Sequence, residues 1–141
     1  MSIQMSKRVT VADVMLPLSG FPVVTESIML KEALEKMSDQ RLGIACIVSS
    51  DGVLIGILTD GDVRRKLLTV QKPFSAFFVD DVIVHSAKGP VTCRPEDSLA
   101  DAIEIMGSKR IWDLPVVKDG GLLVGLLHLH PAVQALLGIA K

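Results

Sequence analysis

The residues best placed to do chemistry lie in the string Gly56-Ile57-Leu58-Thr59-Asp60-Gly61-Asp62. An apolar β-forming run ends there and a helical pattern begins, so Thr59 is expected at a strand tip and Asp62 in the first turn of the next helix. Such a junction offers free backbone N–H groups and the positive end of the helix dipole, which suits a phosphate or another anion. A hydroxyl at the tip can bond a phosphate oxygen, and a carboxylate can accept from two adjacent ribose hydroxyls. The same pair also serves a helix that binds nothing, because Asp favours helix N-termini and Thr favours strand ends. The string alone leaves both uses open.

Other candidates follow along the chain. Arg64 and Arg65 open the helix, where a cation opposes the dipole; they are solvated surface or a bidentate clamp on an anionic ligand. Arg94 and Arg110 are weaker candidates of that kind. Trp112, beside Asp113, is a core or dimer-contact residue or the wall of a ligand cleft. His128 and His130 share one side if a strand runs through both, and there they could donate to a carboxylate or phosphate; otherwise they are two partly solvated histidines. Two such ligands leave a metal site incomplete. Cys46 and Cys93 are far apart, form no metal or disulfide framework, and read as small buried hydrophobes in a reducing cytoplasm. No nucleophile–base pair is defensible, so no catalytic residue is assigned.

The elements that must carry these residues come from an internal repeat. Leu30, Ala33, Leu34, Glu35 and Met37 recur as Leu99, Ala102, Ile103, Glu104 and Met106, and the same offset carries Val48 to Val117 and Gly56 to Gly125. Each copy reads as a short extended piece (21–25, 90–94), an amphipathic helix, a hairpin turning at Asp51-Gly52 or Gly120-Gly121, and a second helix (62–68, 131–137). Ser98 with Asp101 marks a helix start, whereas Met29 marks its counterpart poorly, and Pro131 suits a first helical position. Val79-Asp80-Asp81-Val82 echoes Val11-Ala12-Asp13-Val14, so a lead-in helical turn is expected before each copy. The expected layout is an N-terminal tail over 1–10, a first repeat over 11–69, a connecting segment over 70–89 and a second repeat over 90–141.

Composition sets the limits. A chain of 141 residues, 49% hydrophobic with one Trp, four Phe and no Tyr, builds a core from Val, Ile and Leu, as strands covered by helices require. A net charge of −1 argues against nucleic acid as the main partner, since backbone binding needs a basic excess. No apolar run reaches the length of a membrane span, and 1–8 lack the apolar stretch of a signal peptide.

A duplicated β-α-β-β-α unit with Gly-x-x-Thr-x-x-Asp at the strand-to-helix turn resembles the CBS-domain pair, an α/β (α+β) fold with two repeats packed about a pseudo-twofold axis. The resemblance implies adenosyl or other nucleotide ligands in clefts between the repeats. It makes Thr59 and Asp62 the phosphate- and ribose-facing residues of one cleft, with Thr92 added to that cleft and Thr25 to the other. The segments 42–45, with Gly43 and Ala45, and 111–114 would flank the base. In the second copy His128 stands for Thr and Pro131 for Asp, so the two clefts are expected to differ. The strings Leu58-Thr59-Asp60-Gly61-Asp62-Val63-Arg64-Arg65 and Val124-Gly125-Leu126-Leu127-His128-Leu129-His130 look like the C-terminal CBS pair of D-arabinose 5-phosphate isomerases.

That family places a catalytic sugar-isomerase (SIS) domain ahead of the pair and works in lipopolysaccharide-sugar synthesis. The implied function is a cytoplasmic regulatory sensor, dimeric through the pair and not itself an enzyme. Its expected effector is a nucleotide or nucleotide-sugar, CMP-Kdo by pathway logic, with no cofactor required and no nucleic-acid or membrane partner. The competing readings are an AMP, ATP or S-adenosylmethionine sensor of another enzyme, and a ligand-free oligomerisation module.

Overall fold

Leu30, Ala33 and Met37, spaced to share one helix face, are the residues that the helix Leu30–Gln40 buries, and Leu99, Ala102 and Met106 do the same in Leu99–Lys109. In the computed structural model, which describes residues 9–69 and 71–138, these helices belong to two compact units. One unit is 19–90; the other joins 9–18 to 91–138. The tail expected over 1–10 lies outside the described residues except for Val9 and Thr10.

In chain order the elements are α1 (Val11–Val14), β1 (Val23–Thr25), α2 (Leu30–Gln40), β2 (Ile44–Val48), β3 (Leu54–Thr59), α3 (Asp60–Thr69) and α4 (Phe74–Phe78). After a 3₁₀ turn over Val82–His85 come α5 (Leu99–Lys109), β4 (Asp113–Lys118), β5 (Leu122–His128) and α6 (Leu129–Leu136).

The unit 19–90 holds a three-stranded sheet in the order β1-β2-β3, with β1 parallel and β3 antiparallel to β2. Every residue of β2 is buried, as the central strand of a covered sheet should be. Ala45 and Ile47 pack with Leu30, Ala33, Leu58 and Phe77 in its core. In the other unit β4 and β5 pair antiparallel, and Leu114, Val116 and Leu127 pack with Leu99, Ala102 and Ala132. The repeat extends to irregularities: the register slips between Ile47 and Val48 in one hairpin and between Val116 and Val117 in the other. Both first helices stop on an arginine in the left-handed region, Arg41 at φ 56 and Arg110 at φ 58, whose N–H caps the last turn. Glu32 Oε1 accepts from the Met29 N–H at 3.4 Å, which supplies the helix start that Met29 could not mark in the sequence.

Four sequence expectations are corrected. The extended piece expected over 90–94 is no strand; a parallel bridge from Cys93 to Val116 stands in its place. Its ladder stops there because the Arg94 N–H donates to the Asp97 carboxylate at 2.9 Å and Pro95 has no N–H. The second helices begin earlier than expected, at Asp60 and Leu129, so Pro131 occupies the third helical position, where the N–H still lacks an intrahelical acceptor. Since β5 ends at His128, His130 belongs to the helix and shares no strand face with it. The lead-in segments exchange units. Leu16, ahead of the first copy, pairs through both backbone bonds with Leu126 (2.8 and 3.1 Å), whereas Ala87, ahead of the second, pairs with Ile57 (2.9 and 2.8 Å). The segment 70–89, read as a connector, therefore belongs to the compact unit of the first copy.

Candidate functional site

At the β3–α3 junction Thr59 and Asp62 cap the helix reciprocally. The Asp62 N–H donates to Thr59 Oγ1 at 3.2 Å, and the Thr59 N–H donates to Asp62 Oδ2 at 3.1 Å. This is a capping box with Asp in place of the usual Glu. Asp62 Oδ1 accepts from Arg65 Nη2 at 2.8 Å, and the Asp62 side chain keeps 18% exposure. The arginine folds over Gly61, where an added Cβ would sit 3.2 Å from Nη1. Both uses left open by the sequence are compatible with this geometry. The hydroxyl of Thr59 accepts from the backbone and still has its own proton to donate, and each Asp62 oxygen has lone-pair capacity left.

Two hollows in this unit meet the corner. One, of about 180 Å³, is lined by Asp62, Arg65, Lys66 and Thr69 of α3 and by His85, Ser86 and Ala87. The other, of about 390 Å³, is lined by Leu34, Met37, Ser38, Arg41, Leu42, Gly43 and Asp60. Gly43 is needed where it stands. Its carbonyl accepts from the Asp60 N–H at 3.0 Å, and a Cβ would come within 2.8 Å of Asp60 Oδ2. Ala45 is fully buried, so in this unit its methyl serves the core. Thr25 is exposed at the end of β1, and Arg64 is exposed on α3 outside both hollows.

The corresponding corner of the other unit is built differently. Asp113 and His128 are directly opposite in the hairpin, with His128 Nδ1 2.7 Å from Asp113 Oδ1. Burial pushes the Asp113 carboxyl above its ordinary range, against the pull of the histidine. Trp112 accepts the Leu129 N–H on its carbonyl at 2.8 Å, which brings the tryptophan to the same corner with 70% of its surface exposed. It is not a core residue of this unit. Thr92 is half-buried beside the Cys93 bridge. The Arg94 guanidinium is held by Glu96 and Asp119, each at 2.7 Å, and these bonds keep it charged. Cys93 is buried, its thiol pushed up to about 12 by desolvation, and Cys46 is buried in β2.

Sequence reasoning missed Asp60, Arg41, Lys66 and the segment 85–87. Lys66 and Thr69 had a readable signal, since they follow Asp62 at the fourth and seventh positions of one helix face. His85 had none. It is 5% exposed, its Nε2 lies 2.8 Å from Asp80 Oδ2, and its ring centroid is 4.4 Å from that of Phe77. Asp80 also accepts from Lys72 at 2.7 Å; Lys72 first and His85 second hold its carboxyl below the usual range. Among the described residues no cluster of metal-ligating side chains occurs, and no helix is long and apolar enough to cross a membrane.

The relatives agree with this architecture. An uncharacterized protein of Helicobacter pylori is 33% identical over 122 residues, covering 85% of this chain and 35% of that one. The arabinose 5-phosphate isomerase KdsD of Pseudomonas aeruginosa is 34% identical over 128 residues, covering 89% of this chain and 37% of the enzyme. The chain thus spans little more than a third of the length of these curated relatives. Among solved structures, that of CBSX2 from Arabidopsis thaliana in complex with AMP matches with a TM-score of 0.81 and 27% identity, over 93% of this chain and 98% of that one. The family model for the CBS domain matches twice, over 11–69 and 79–130. With two such matches on two repeated helix-and-hairpin units, the chain belongs to the CBS-domain family and is a CBS pair.

Proposed function

We propose that this CBS pair is a regulatory module that binds a nucleotide effector at the Thr59–Asp62 corner and shifts the conformational equilibrium of a catalytic domain. The observation that carries the reading is the part-exposed Asp62 carboxylate, held rigidly by the reciprocal cap and by Arg65. A fixed acceptor of that kind binds vicinal hydroxyls without first losing side-chain entropy. The AMP held by CBSX2 favours an adenosine nucleotide. The hollow beside Gly43, with aliphatic walls and the Arg41 and Asp60 side chains, has the composition of a base pocket.

A second reading keeps the site and changes the ligand. Similarity to arabinose 5-phosphate isomerase favours a module attached to a SIS domain, with CMP-Kdo as effector. That reading also carries a homodimer through the pair and a cytoplasmic location, and Leu68, Phe74, Val79 and Val84 are large apolar side chains left exposed. Calorimetric titration of AMP, ATP, S-adenosylmethionine and CMP-Kdo against the wild type and Asp62→Asn separates the readings. Heat with AMP that Asp62→Asn abolishes supports the adenosine sensor, and heat with CMP-Kdo alone supports the isomerase module. No binding by any of the four leaves the oligomerisation module and overturns the sensor.

A further inference from the structure

The two lead-in segments make the same backbone bonds with different side chains. The Leu99 N–H donates to the Val9 carbonyl at 2.9 Å, and the Leu30 N–H to the Asp80 carbonyl at 2.8 Å. The Val11 N–H donates to the Asp97 carbonyl at 2.9 Å and the Val82 N–H to that of Ile28 at 2.8 Å, and both valines are fully buried. Leu16 and Ala87 then close each segment onto a strand. By this correspondence Asp80 stands where the other segment has Val9, and His85 stands where it has Val14. Val9 and Val14 pack against the core of their unit. Asp80 and His85 face each other instead, with His85 Nε2 2.8 Å from Asp80 Oδ2, and Lys72 donates to the same oxygen at 2.7 Å.

The duplicate segment shows what the fold needs. Apolar side chains hold a lead-in at both positions, so holding it does not require the polar set. The polar set is also the costlier choice. His85 is 5% exposed, and its Nδ1 has no hydrogen-bond partner among the described residues, which is unfavourable whichever ring nitrogen carries the proton. A buried polar pair that apolar residues can replace adds little net stability; what it can supply is a defined register or a two-state contact. Its place in the chain suits a two-state contact. His85, Ser86 and Ala87 line the same hollow as Asp62 and Arg65, and beyond Ala87 the chain runs on to Cys93 in the second copy.

We propose that Lys72, Asp80 and His85 form a latch on the lead-in segment 80–87, closed when Ala87 is paired with Ile57 and open when that pairing is released. An effector at the Thr59–Asp62 corner favours the closed state, because the segment walls the hollow that Asp62 shares. This effector step rests on the nucleotide reading; the latch does not. NMR-resolved amide hydrogen exchange of the full 141-residue chain tests them separately. Without ligand, Ala87 and Ile57 are about tenfold less protected than their counterparts Leu16 and Leu126, because water competes for partly exposed charges more readily than for packed valines. The double variant Asp80→Val/His85→Val, which copies Val9 and Val14, brings Ala87 and Ile57 to within about twofold of Leu16 and Leu126 and leaves those two unchanged. Its thermal midpoint is no lower than that of Asp80→Val alone, which strands His85.

Equal protection of the two pairs in the wild type overturns the latch, and so does a double variant in which Ala87 and Ile57 stay poorly protected. In the wild type, saturating AMP raises the protection of Ala87 and Ile57 about tenfold. AMP that binds by calorimetry and leaves these amides unchanged overturns the effector step and spares the nucleotide reading. Absence of AMP binding sinks that reading and the effector step together, while the ligand-free comparison still decides the latch.

Discussion

Each unit sets one histidine against one carboxylate, and the two pairs push their carboxylates in opposite directions. In the unit 19–90, Asp80 is partly open, accepts from both Lys72 and His85, and is held below its ordinary range. In the other unit Asp113 has His128 alone as side-chain partner among the described residues, and burial outweighs that partner and raises it. The corners differ in the same sense. Thr59 and Asp62 cap α3 reciprocally, whereas at α6 His128 takes the place of the threonine and its side chain turns to the facing strand. One repeated plan thus supports a capped, cation-flanked corner in one copy and a partly buried His–carboxylate pair in the other. The contrast shows that fold constraints fix the helix and hairpin but leave the strand-tip side chains free to diverge.

The comparison breaks most sharply at the repeat-related glycines. A Cβ on Gly125 would lie 2.5 Å from Met15 Sδ and 2.9 Å from the Leu16 carbonyl, whereas on Gly56 the nearest atoms are 3.1 Å away. Gly125→Ala is expected to cost about 2–3 kcal/mol and Gly56→Ala about 1 kcal/mol, read from urea midpoints. Equal losses would mean that the lead-in segments do not press on the two hairpins as described. Next in size, Asp62→Ala removes half of the cap and costs about 1 kcal/mol, while His128→Ala, which takes no part in capping, leaves the α6 helix start intact.

The pH dependence sharpens the contrast between the carboxylates. Asp80 is lowered from 3.8, so its contribution is present above that value and is lost as pH falls through the folded pKa. Relative to the wild type, Asp80→Asn is therefore less stable at neutral pH, and the difference shrinks in acid. Asp113 is raised from 3.8, so its contribution is present below that value and is lost as pH rises through the folded pKa. Asp113→Asn should then gain on the wild type as pH rises. At neutral pH its net effect is the smallest of the set, within about 0.5 kcal/mol, because the loss of the His128 partner offsets the relief of desolvation. Midpoints measured between pH 3 and 8, with the two variants moving the same way, would contradict the opposite shifts of the two carboxylates.

Much of the fold was legible because it is written locally and twice. The spacing of Leu30, Ala33 and Met37, the Gly52 turn and the Ser98 cap each act within a few residues, and the offset to Leu99, Ala102 and Met106 doubles the signal. The Thr59–Asp62 corner was legible for the same reason, since a capping box is a four-residue device. The true starts of the second helices were less so, because a strand that runs straight into a helix leaves no loop to mark the boundary.

The sequence by itself determined the duplicated helix-and-hairpin unit, its turns, and the residue types at each strand tip. Only the tertiary structure decided which lead-in segment joins which sheet edge, since Leu16 finds Leu126 and Ala87 finds Ile57 through backbone groups that every residue carries. It also decided that Arg94 is tied to two carboxylates, and that Lys66 and His85 share one hollow. Local periodicity reports which face of an element is apolar; partners distant in the chain are chosen by the packing that closes over that face.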